Sequence, residues 1–509
     1  MHTETTSARC VAVLGTGSDT GKSITVAALC RIFSDLGIRV APFKAQNMSN
    51  NSYVTQDGGE MGRAQIVQAE AARVEPHVDM NPVLLKPSTD TGAQVVLHGK
   101  PIGNREAKEY FSDTDGLFGK ALESLQRLRA SYSLIIMEGA GSCAEVNLRP
   151  KDFVNFRIAH AADAAVMLVA DIDRGGVFAQ IIGTLELIPQ EDRQRVAGVI
   201  INRFRGDPDL FKTGIEFIED RTGLPVLGLI PYFRHIQIDS EDGVPLDAVI
   251  DPPAGPEPGK INIGVIRLPH ISNFTDFNPF DRDAVVNLHY LARPRSLEGY
   301  DTVFLPGTKN GRFDMEWLNE TGWTAMLTKY VRDGGRLCGI CGGYQMLGNV
   351  IYDPYGSEGA PGKTHCLGLL NVDTTLHREK ILSRSLGLWE QSGEAVEGYE
   401  IHMGVTERGF GVLPVIRVLS QNGMPTDSFD GAASPDGRIW GVYFHGLFDM
   451  PGFRHAFLRG MRADYRPGES DGDTGPISDF KNRQYDLLAE HFRTHLDMDK
   501  LLEIAGFNR

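Results

Sequence analysis

The stretch Cys10-Val-Ala-Val-Leu-Gly15-Thr-Gly-Ser-Asp-Thr-Gly21-Lys-Ser23 decides the fold of the first half of the chain. An apolar run, a glycine-containing loop, Lys-Ser and a helical pattern follow one another, which predicts a strand, a phosphate-binding loop and a helix. Five residues separate Gly15 from Gly21, one more than in the usual form of this loop. We expect the Lys22 ammonium to reach the β/γ-phosphates and the Ser23 hydroxyl to suit Mg²⁺. The nucleotide-binding candidates in the loop are Gly15, Thr16, Gly17, Thr20, Gly21, Lys22 and Ser23.

Short apolar runs alternate with longer amphipathic segments along residues 1–230. The expected buried strands are Cys10–Leu14, Val40–Phe43, Leu134–Met137, Ala164–Ala170, Val196–Ile201 and Pro225–Ile230. The segments with helical spacing are Lys22–Leu36, Arg105–Ala130, Phe178–Leu187 and Asp209–Arg221. This alternation predicts an α/β fold with a doubly wound, mostly parallel sheet.

A proline-rich, acidic segment at 239–260 breaks this alternation, and we interpret it as an interdomain linker. Strand-like runs resume at Ile261, and the sequence from Cys366 to Phe444 is rich in β-strand patterns. We therefore divide the chain into a phosphate-loop domain at 1–238, the linker, and a second, flavodoxin-like α/β domain at 261–509.

The composition excludes several classes of protein. The 509 residues include 41% hydrophobic and 23% charged residues, which is typical of a globular chain with a large core. The 66 acidic and 51 basic side chains give a formal charge of −15, which argues against a protein that coats nucleic acid. Met1–Arg9 has no signal-peptide pattern, and no apolar run reaches membrane-spanning length. We expect a cytoplasmic protein without membrane contact, and the sequence leaves its oligomeric state open.

The longer phosphate loop resembles that of the dethiobiotin-synthetase-like branch of P-loop proteins. Partitioning ATPases of the same superfamily have a signature lysine where this chain has Gly17, which disfavours a dimeric switch ATPase. The resemblance implies that Glu138, at the end of an apolar strand, binds Mg²⁺ and that Asn202 reads the adenine of ATP. Asp57 lies in a glycine-rich loop that suits a second magnesium ligand. Lys44 follows the second predicted strand, where a cation could face a transferred phosphoryl group.

The strongest signal in the chain is Arg336-Leu-Cys-Gly-Ile-Cys341-Gly-Gly-Tyr-Gln-Met-Leu-Gly348. A strand, a sharp glycine-flanked turn and a helix start predict a nucleophile elbow with Cys341 as the nucleophile, because a helix N-terminus favours thiolate. Cys338 lies within the strand and is expected to be a core residue. Its C-x-x-C spacing with Cys341 leaves a redox dithiol open, whereas zinc is disfavoured because no second pair or histidine cluster accompanies it.

A thiolate nucleophile needs a base, and His445 provides one at the end of a predicted strand about 100 residues downstream. The backbone amides of Gly307 and Gly342 are candidates for an oxyanion hole. Together these features resemble class I glutamine amidotransferase domains, which hydrolyse glutamine through a γ-glutamyl thioester. Many such domains have a glutamate two residues after the histidine, where this chain has Leu447. Asp449 is our candidate for the group that orients His445.

A phosphate-loop half joined to a glutaminase half predicts coupled chemistry. ATP would activate a carboxylate as an acyl phosphate, and ammonia released from glutamine would travel internally to attack it. A more specific resemblance is carried by the stretches Pro42–Asn51, Asp57–Gln65, Asp171–Phe178, Ile271–Phe277, Gly398–His402 and the elbow. With these stretches the chain resembles the cobyric acid synthase family, and this implies amidation of side chains b, d, e and g of adenosylcobyrinic acid a,c-diamide, a corrinoid, in cobalamin biosynthesis.

Several alternatives stay open at this point. Cobyrinic acid a,c-diamide synthase and CTP synthase also join a similar P-loop domain to a glutaminase. A nucleotide-dependent switch with a decayed glutaminase is a further alternative, against which the intact Cys341 and His445 argue. Asp171 closes a strand and suits either metal or substrate. Residues left open between an ammonia route, the domain interface, a corrinoid entrance and simple packing are Ser272, Asn273, Asp276, Glu400 and His402.

Overall fold

The computed structural model describes residues 7–87, 92–106, 110, 112–239, 255–468 and 472–507. Most of the expected linker, residues 240–254, lies outside the described residues. The described chain forms an N-terminal half and a C-terminal half, each built on a mainly parallel sheet.

The N-terminal half contains twelve strands among the described residues. They are β1 (Arg9–Gly15), β2 (Val40–Phe43), β3 (Gln46–Met48), β4 (Ser52–Val54), β5 (Glu60–Gly62), β6 (Val83–Pro87), β7 (Gly92–Leu97), β8 (Lys100–Glu106), β9 (Leu134–Glu138), β10 (Ala165–Asp171), β11 (Val196–Phe204) and β12 (Val226–Pro231). Its described helices are α1 (Lys22–Asp35), α2 (Arg63–Ala71), α3 (Thr114–Ser131), α4 (Phe156–Ala161), α5 (Val177–Leu187), α6 (Gln190–Arg193) and α7 (Lys212–Thr222).

Six of these strands form a parallel sheet in the order β12-β11-β10-β1-β9-β2. They are the six strands predicted from the apolar runs, so the α/β prediction is confirmed. Side chains of β1 alternate between two buried clusters: Ala12 and Leu14 pack with α3 and α5, whereas Val11 and Val13 pack with α1. Helices therefore cover both faces of the sheet, as in a doubly wound fold.

One predicted helix, Arg105–Ala130, was wrong at its beginning. The chain up to Glu106 pairs with β7 as strand β8, and the helix α3 begins only at Thr114. Residues 107–109 and 111 lie outside the described residues. Strands β3, β6, β7 and β8, which lie between β2 and α3 in the sequence, form a small sheet. Strand β4 pairs with β5 as a separate hairpin.

Parallel pairing brings the carboxyl ends of the six central strands to one edge of the sheet. Gly15 ends β1, Lys44 follows β2, Glu138 ends β9 and Asp171 ends β10. Asn202 lies in the last part of β11, opposite Asp171. Residues that are far apart in the sequence thus meet at a single edge.

The C-terminal half also has twelve strands among the described residues. They are β13 (Ile261–Ile266), β14 (Val286–Leu291), β15 (Thr302–Leu305), β16 (Leu337–Ile340), β17 (Val350–Asp353), β18 (Gly362–His365), β19 (Val372–Trp389), β20 (Ala395–Arg408), β21 (Ile416–Gln421), β22 (Met424–Asp430), β23 (Ala432–Ala433) and β24 (Ile439–Val442). Its described helices are α8 (Asn278–Asp281), α9 (Gly311–Thr321), α10 (Trp323–Arg332), α11 (Gly342–Leu347) and α12 (Pro451–Met461).

The central sheet of this half has the order β14-β13-β15-β16-β24-β23 and is parallel except for the short edge strand β23. A second, mainly antiparallel sheet contains β17 to β22, in which the long strands β19 and β20 pair with each other. The β-rich segment predicted from Cys366 to Phe444 forms most of this second sheet.

The last two helices, α13 (Ile477–His495) and α14 (Met498–Ile504), pack against the N-terminal half. Leu488 and Phe492 join the buried cluster of α1, and Arg31 on α1 forms an ion pair with Asp486 at 2.9 Å. These helices belong by sequence to the predicted unit 261–509, but they pack on the N-terminal half. The physical reason is that α1 is apolar on nearly all sides and needs a cover on its outer face.

Replacing Phe492 by alanine tests this packing. The side chain is fully buried, so Phe492→Ala should lower the free energy of unfolding of the N-terminal half by about 3–5 kcal/mol. Leu487 is on the same helix but 45% exposed, and Leu487→Ala should change it by no more than about 0.5 kcal/mol. Urea unfolding followed by circular dichroism measures both. Equal effects of the two substitutions would contradict the placement of the helix.

Candidate active sites of the two halves

Lys22 and the glycines fix the conformation of the loop between β1 and α1. The Lys22 ammonium donates to the backbone oxygens of Gly17 and Gly141, both at 2.9 Å. Gly21 has a φ of +94°, and a Cβ there would lie 2.1 Å from the amide nitrogen of the Asn202 side chain. Only glycine satisfies both conditions, which explains the glycine directly before the lysine.

Glu138 lies at the centre of the predicted phosphate site. The Ser23 hydroxyl and the Lys44 ammonium both donate to its Oε1 at 2.8 Å, and Gln68 donates to its Oε2 at 2.5 Å. Burial alone would raise the pKa of the Glu138 carboxyl, but the Lys44 charge and these hydrogen bonds hold it below its ordinary value. The carboxylate is therefore charged and directed at the loop.

Ser23 and Glu138 fit a magnesium ion, because a hydroxyl and a charged carboxylate are oxygen ligands of the kind that Mg²⁺ prefers. Asp57 is not brought to this pair. It is exposed in a turn, where its carboxylate accepts from the Thr55 hydroxyl at 2.5 Å. The next residue, Gly58, faces Asn422 of the C-terminal half. These contacts give no support to a second magnesium ligand at Asp57, which stays a prediction.

Asn202 borders a cavity of about 210 Å³ beside the phosphate loop. Its side chain donates to the backbone oxygen of Thr20 at 2.9 Å, which fixes the amide at the cavity edge. The other lining residues include Gly21, Ile24, Tyr232 and Phe233. A mixed apolar and amide-lined cavity next to a phosphate loop is of the kind expected for the base of a nucleotide.

Asp171 takes part in an ion-pair network that reaches the phosphate loop. Arg203 donates to Asp171 at 2.9 Å and forms an ion pair with Asp19 of the loop, also at 2.9 Å. Asp171 also accepts from the backbone N–H of Asp173. These contacts give Asp171 a role in holding the loop, and they leave its predicted metal or substrate role unsupported.

In the C-terminal half, Cys341 has the backbone of a nucleophile elbow. It joins β16 to α11 with φ +51° and ψ −109°, a conformation that L residues rarely adopt and that costs about 1–3 kcal/mol. A Cβ on Gly343 would lie 1.9 Å from the backbone oxygen of Leu305, and one on Gly339 would lie 2.7 Å from Gly343. The flanking glycines are therefore required by close backbone approach.

His445 contacts Cys341, and Asp276 orients its ring. The Nδ1–H of His445 donates to Asp276 Oδ2 at 2.7 Å, and the backbone N–H of Gly446 donates to Asp276 Oδ1 at 2.8 Å. Burial disfavours the charged imidazole, but the Asp276 carboxylate and the contact with Cys341 outweigh it and raise the pKa of His445 to about 10. Cysteine, histidine and aspartate thus form a triad in which the aspartate fixes the ring.

Asp449, our candidate for this orienting group, was the wrong residue. Its carboxyl lies near Lys481, Arg63 and Asp239, and burial raises its pKa to about 6. Asp276 was missed because it is 169 residues from His445 in the sequence. The available signal was that it follows β13, a parallel strand whose carboxyl end lies at the same sheet edge as those of β16 and β24.

The two oxyanion candidates border the triad. A Cβ on Gly342 would lie 2.5 Å from the methyl group of Thr308 and 3.2 Å from its backbone nitrogen. A Cβ on Gly307 would lie 2.8 Å from Cε1 of His445. The two backbone segments therefore come together beside Cys341, where a tetrahedral oxyanion would form.

Glu400 and His402 lie on β20, on either side of Ile401 in the sequence. Both line a polar cavity of about 170 Å³, and the intervening Ile401 backbone oxygen accepts from the Cys341 thiol at 3.5 Å. Glu400 accepts hydrogen bonds from Ser383 and Ser385. Cys338 is buried in the core, as expected.

The fold and these contacts define a P-loop-type unit joined to an α/β unit in which His445 contacts both Cys341 and Asp276. Residues 11–246 match the model of the CobQ/CobB/MinD/ParA nucleotide binding domain, and residues 262–453 match that of the CobB/CobQ-like glutamine amidotransferase domain.

Relatives match over nearly the whole chain. The cobyric acid synthase of Chlorobaculum tepidum is 56% identical over 98% of both chains. That of Chlorobium phaeobacteroides is 56% identical over 98% of this chain and 99% of its own. That of Syntrophobacter fumaroxidans is 45% identical with the same coverage. The chain belongs to the cobyric acid synthase family. In its described part, no helix is long and apolar enough to span a membrane.

Replacing Asp276 by asparagine tests the triad. Without the carboxylate the His445 ring loses its orientation, so Asp276→Asn should lower glutamine hydrolysis by a factor on the order of 10⁴. The pKa of His445 should fall from about 10, which a histidine NMR titration measures.

The same substitution should change how stability depends on pH. Protonated His445 stabilises the fold fully below its ordinary pKa of 6.5, and this stabilisation is lost as the pH rises through about 10. Asp276→Asn should remove that pH dependence of unfolding.

Asp449→Asn is the matched control, because Asp449 is buried near the triad but does not hydrogen-bond His445. It should leave glutamine hydrolysis within a few-fold of the wild type. A larger loss for Asp449→Asn than for Asp276→Asn would contradict the assignment.

Proposed function

We propose that this chain amidates carboxylates of a corrinoid with ammonia from glutamine and energy from ATP, in cobalamin biosynthesis. The observation that carries the proposal is that a complete triad and a complete phosphate loop occur in one chain, which relatives named cobyric acid synthase match over 98% of its length. Each half supplies one part of the reaction.

In the glutaminase half, the Cys341 thiolate attacks the side-chain amide carbon of glutamine. The backbone N–H groups of Gly307 and Gly342 stabilise the oxyanion of the tetrahedral intermediate. His445 donates its proton to the leaving nitrogen, so ammonia departs and a γ-glutamyl thioester remains. His445 then takes a proton from water, which attacks the thioester, releases glutamate and restores the Cys341 thiolate beside protonated His445.

In the P-loop half, a carboxylate oxygen of the corrinoid attacks the γ-phosphorus of ATP and displaces ADP, which gives an acyl phosphate. Lys22 and Lys44 stabilise the negative charge that develops on the transferred phosphoryl group. Ammonia attacks the acyl carbon, inorganic phosphate leaves, and the amide forms. Asn202 and its cavity hold the adenine.

Ser23 and Glu138 are the residues that would hold Mg²⁺, which neutralises phosphate charge when it is bound. Lys44 shares Glu138 with Ser23, so the ammonium is fixed next to the metal ligands. The carboxylate of Glu138 would therefore bind both the Lys44 ammonium and Mg²⁺.

Within this reaction, we assign side chains b, d, e and g of adenosylcobyrinic acid a,c-diamide as the carboxylates, with cobyric acid as the product. Incubation of that corrinoid with glutamine and ATP-Mg²⁺, followed by mass spectrometry, should show four successive replacements of OH by NH₂. Amidation of cobyrinic acid at two positions only would instead favour the a,c-diamide reaction. Omission of ATP should abolish all replacements.

The separation of the two sites predicts different effects of Cys341→Ser and Lys22→Ala. Loss of the thiol should lower glutamine-dependent amidation by a factor on the order of 10⁴ or more and preserve amidation with high ammonium, since only the nitrogen source fails. Lys22→Ala should stop amidation with either nitrogen source, because the acyl phosphate no longer forms. Corrinoid amide formation by mass spectrometry measures both. Loss of ammonium-dependent amidation in Cys341→Ser would contradict separate sites.

A further inference from the structure

A hairpin of the N-terminal half contacts residues of the C-terminal half that support the triad. We call residues 51–62 the interface hairpin; it consists of Asn51, strand β4, a turn and strand β5. Strand β4 contacts both long strands β19 and β20 of the C-terminal half.

Its first contact is with the loop that carries the triad carboxylate. Asn51 Oδ1 accepts from the backbone N–H of Asn273 at 2.8 Å, and the backbone N–H of Ser52 donates to Asn273 Oδ1 at 3.1 Å. Asn273 has a φ of +52°, and its backbone oxygen accepts from the N–H of Asp276 at 3.1 Å. A buried, reciprocal pair of hydrogen bonds from the hairpin thus fixes the residue from which the Asp276 turn begins.

Its second contact is with the support of the histidine. The Tyr53 ring lies 4.5 Å from the Tyr399 ring, and Tyr399 stacks on His445 at 5.3 Å with 24° between the ring planes. Tyr399 and His445 also exchange backbone hydrogen bonds at 3.1 and 2.8 Å. The hairpin therefore supports the ring of His445 as well as its carboxylate partner.

A buried charge cluster fixes the second strand of the hairpin. Glu60 is fully buried and forms ion pairs with Lys86 of its own half at 2.7 Å and with Lys380 of the C-terminal half at 2.6 Å. Such a pair is costly to break, because the partner is left as an uncompensated buried charge. The two ion pairs therefore anchor the hairpin to β6 of its own half and to β19 of the C-terminal half.

The hairpin continues directly into the phosphate site. Strand β5 ends at Gly62 and helix α2 begins at Arg63. On that helix, Gln65 and Gln68 donate to Glu138 Oε2 at 3.4 and 2.5 Å. Glu138 also accepts from Lys44. A short continuous segment therefore contacts the proposed magnesium ligand at one end and the triad supports at the other.

We propose that the interface hairpin is a positioning element that holds Asp276 and His445 in their working geometry and makes glutamine hydrolysis depend on the nucleotide site. This inference rests on the proposed function, in which ammonia released before the acyl phosphate has formed is lost to solvent. Occupation of the phosphate site acts on Glu138, moves α2 through its two glutamines, and reaches the triad through Asn51 and Tyr53. The coupling is reciprocal, so bound glutamine should also favour nucleotide binding.

Two substitutions, one in each half, each remove one hydrogen bond of this reciprocal pair. Asn51→Ala removes the acceptor for Asn273, and Asn273→Gly removes the acceptor for Ser52 while glycine keeps the positive φ. With ATP and the corrinoid carboxylate present, both variants should release glutamate at least tenfold more slowly than wild type, through kcat and not KM for glutamine. Amidation with high ammonium should stay within twofold, and thermal unfolding checks that each variant is folded.

Glu75→Gln is the control, because it removes an exposed contact between the halves, Glu75–Arg384, without touching the triad loop. It should behave as wild type. The proposal is overturned if Asn51→Ala retains full stimulation of glutamate release by ATP and corrinoid, or if ammonium-dependent amidation falls as far as glutamine hydrolysis. If wild type releases glutamate but forms no corrinoid amide, the proposed function fails. The role of the hairpin is then tested by whether ATP alone stimulates glutamate release in wild type but not in Asn51→Ala.

Discussion

Parallel strand pairing is the constraint on which both sites depend. It places the carboxyl ends of neighbouring strands at one edge of a sheet, and each half of this chain has its chemistry at such an edge. In the N-terminal half, Glu138 and Lys44 meet there with an ion pair of 2.8 Å. In the C-terminal half, Cys341 and His445 follow the adjacent strands β16 and β24. The same rule therefore assembles a phosphate site and a thiol nucleophile from residues far apart in the chain.

Backbone proximity is the second physical requirement shared by the two sites. The phosphate loop needs Gly21 against Asn202, and the elbow needs Gly343 against Leu305, because a Cβ would overlap in either place. The 57 glycines of the chain include these positions, where they allow backbone to approach a ligand or to frame a nucleophile. The net charge of −15 is not decisive for an anionic substrate, since local cations such as Lys22 and Lys44 face the phosphate site.

Local patterns in the sequence predicted most of the fold and much of each site. The six strands of the first sheet, the elbow at Cys341 and the base His445 all have signals within a few residues of themselves. Asp276 has no such signal, because its role depends on a tertiary contact with a histidine 169 residues away. Asp449 is close to His445 in the sequence and is buried near the triad, but its carboxyl lies beside Lys481, Arg63 and Asp239, and the carboxylate that accepts from the imidazole is that of Asp276. The packing of α13 on α1 likewise has no signal within α13 itself. A hint lies in α1, which is apolar on nearly all sides and therefore needs another element to cover it.

We propose that ammonia made at Cys341 passes to the P-loop half without entering solvent. Glutamine labelled with nitrogen-15 in its side-chain amide, supplied together with excess unlabelled ammonium, tests this most directly. Mass spectrometry of the corrinoid product should then show amides that carry mainly the label. Amides with the isotope ratio of the bulk ammonium would contradict internal transfer and, with it, the joined action of the two halves.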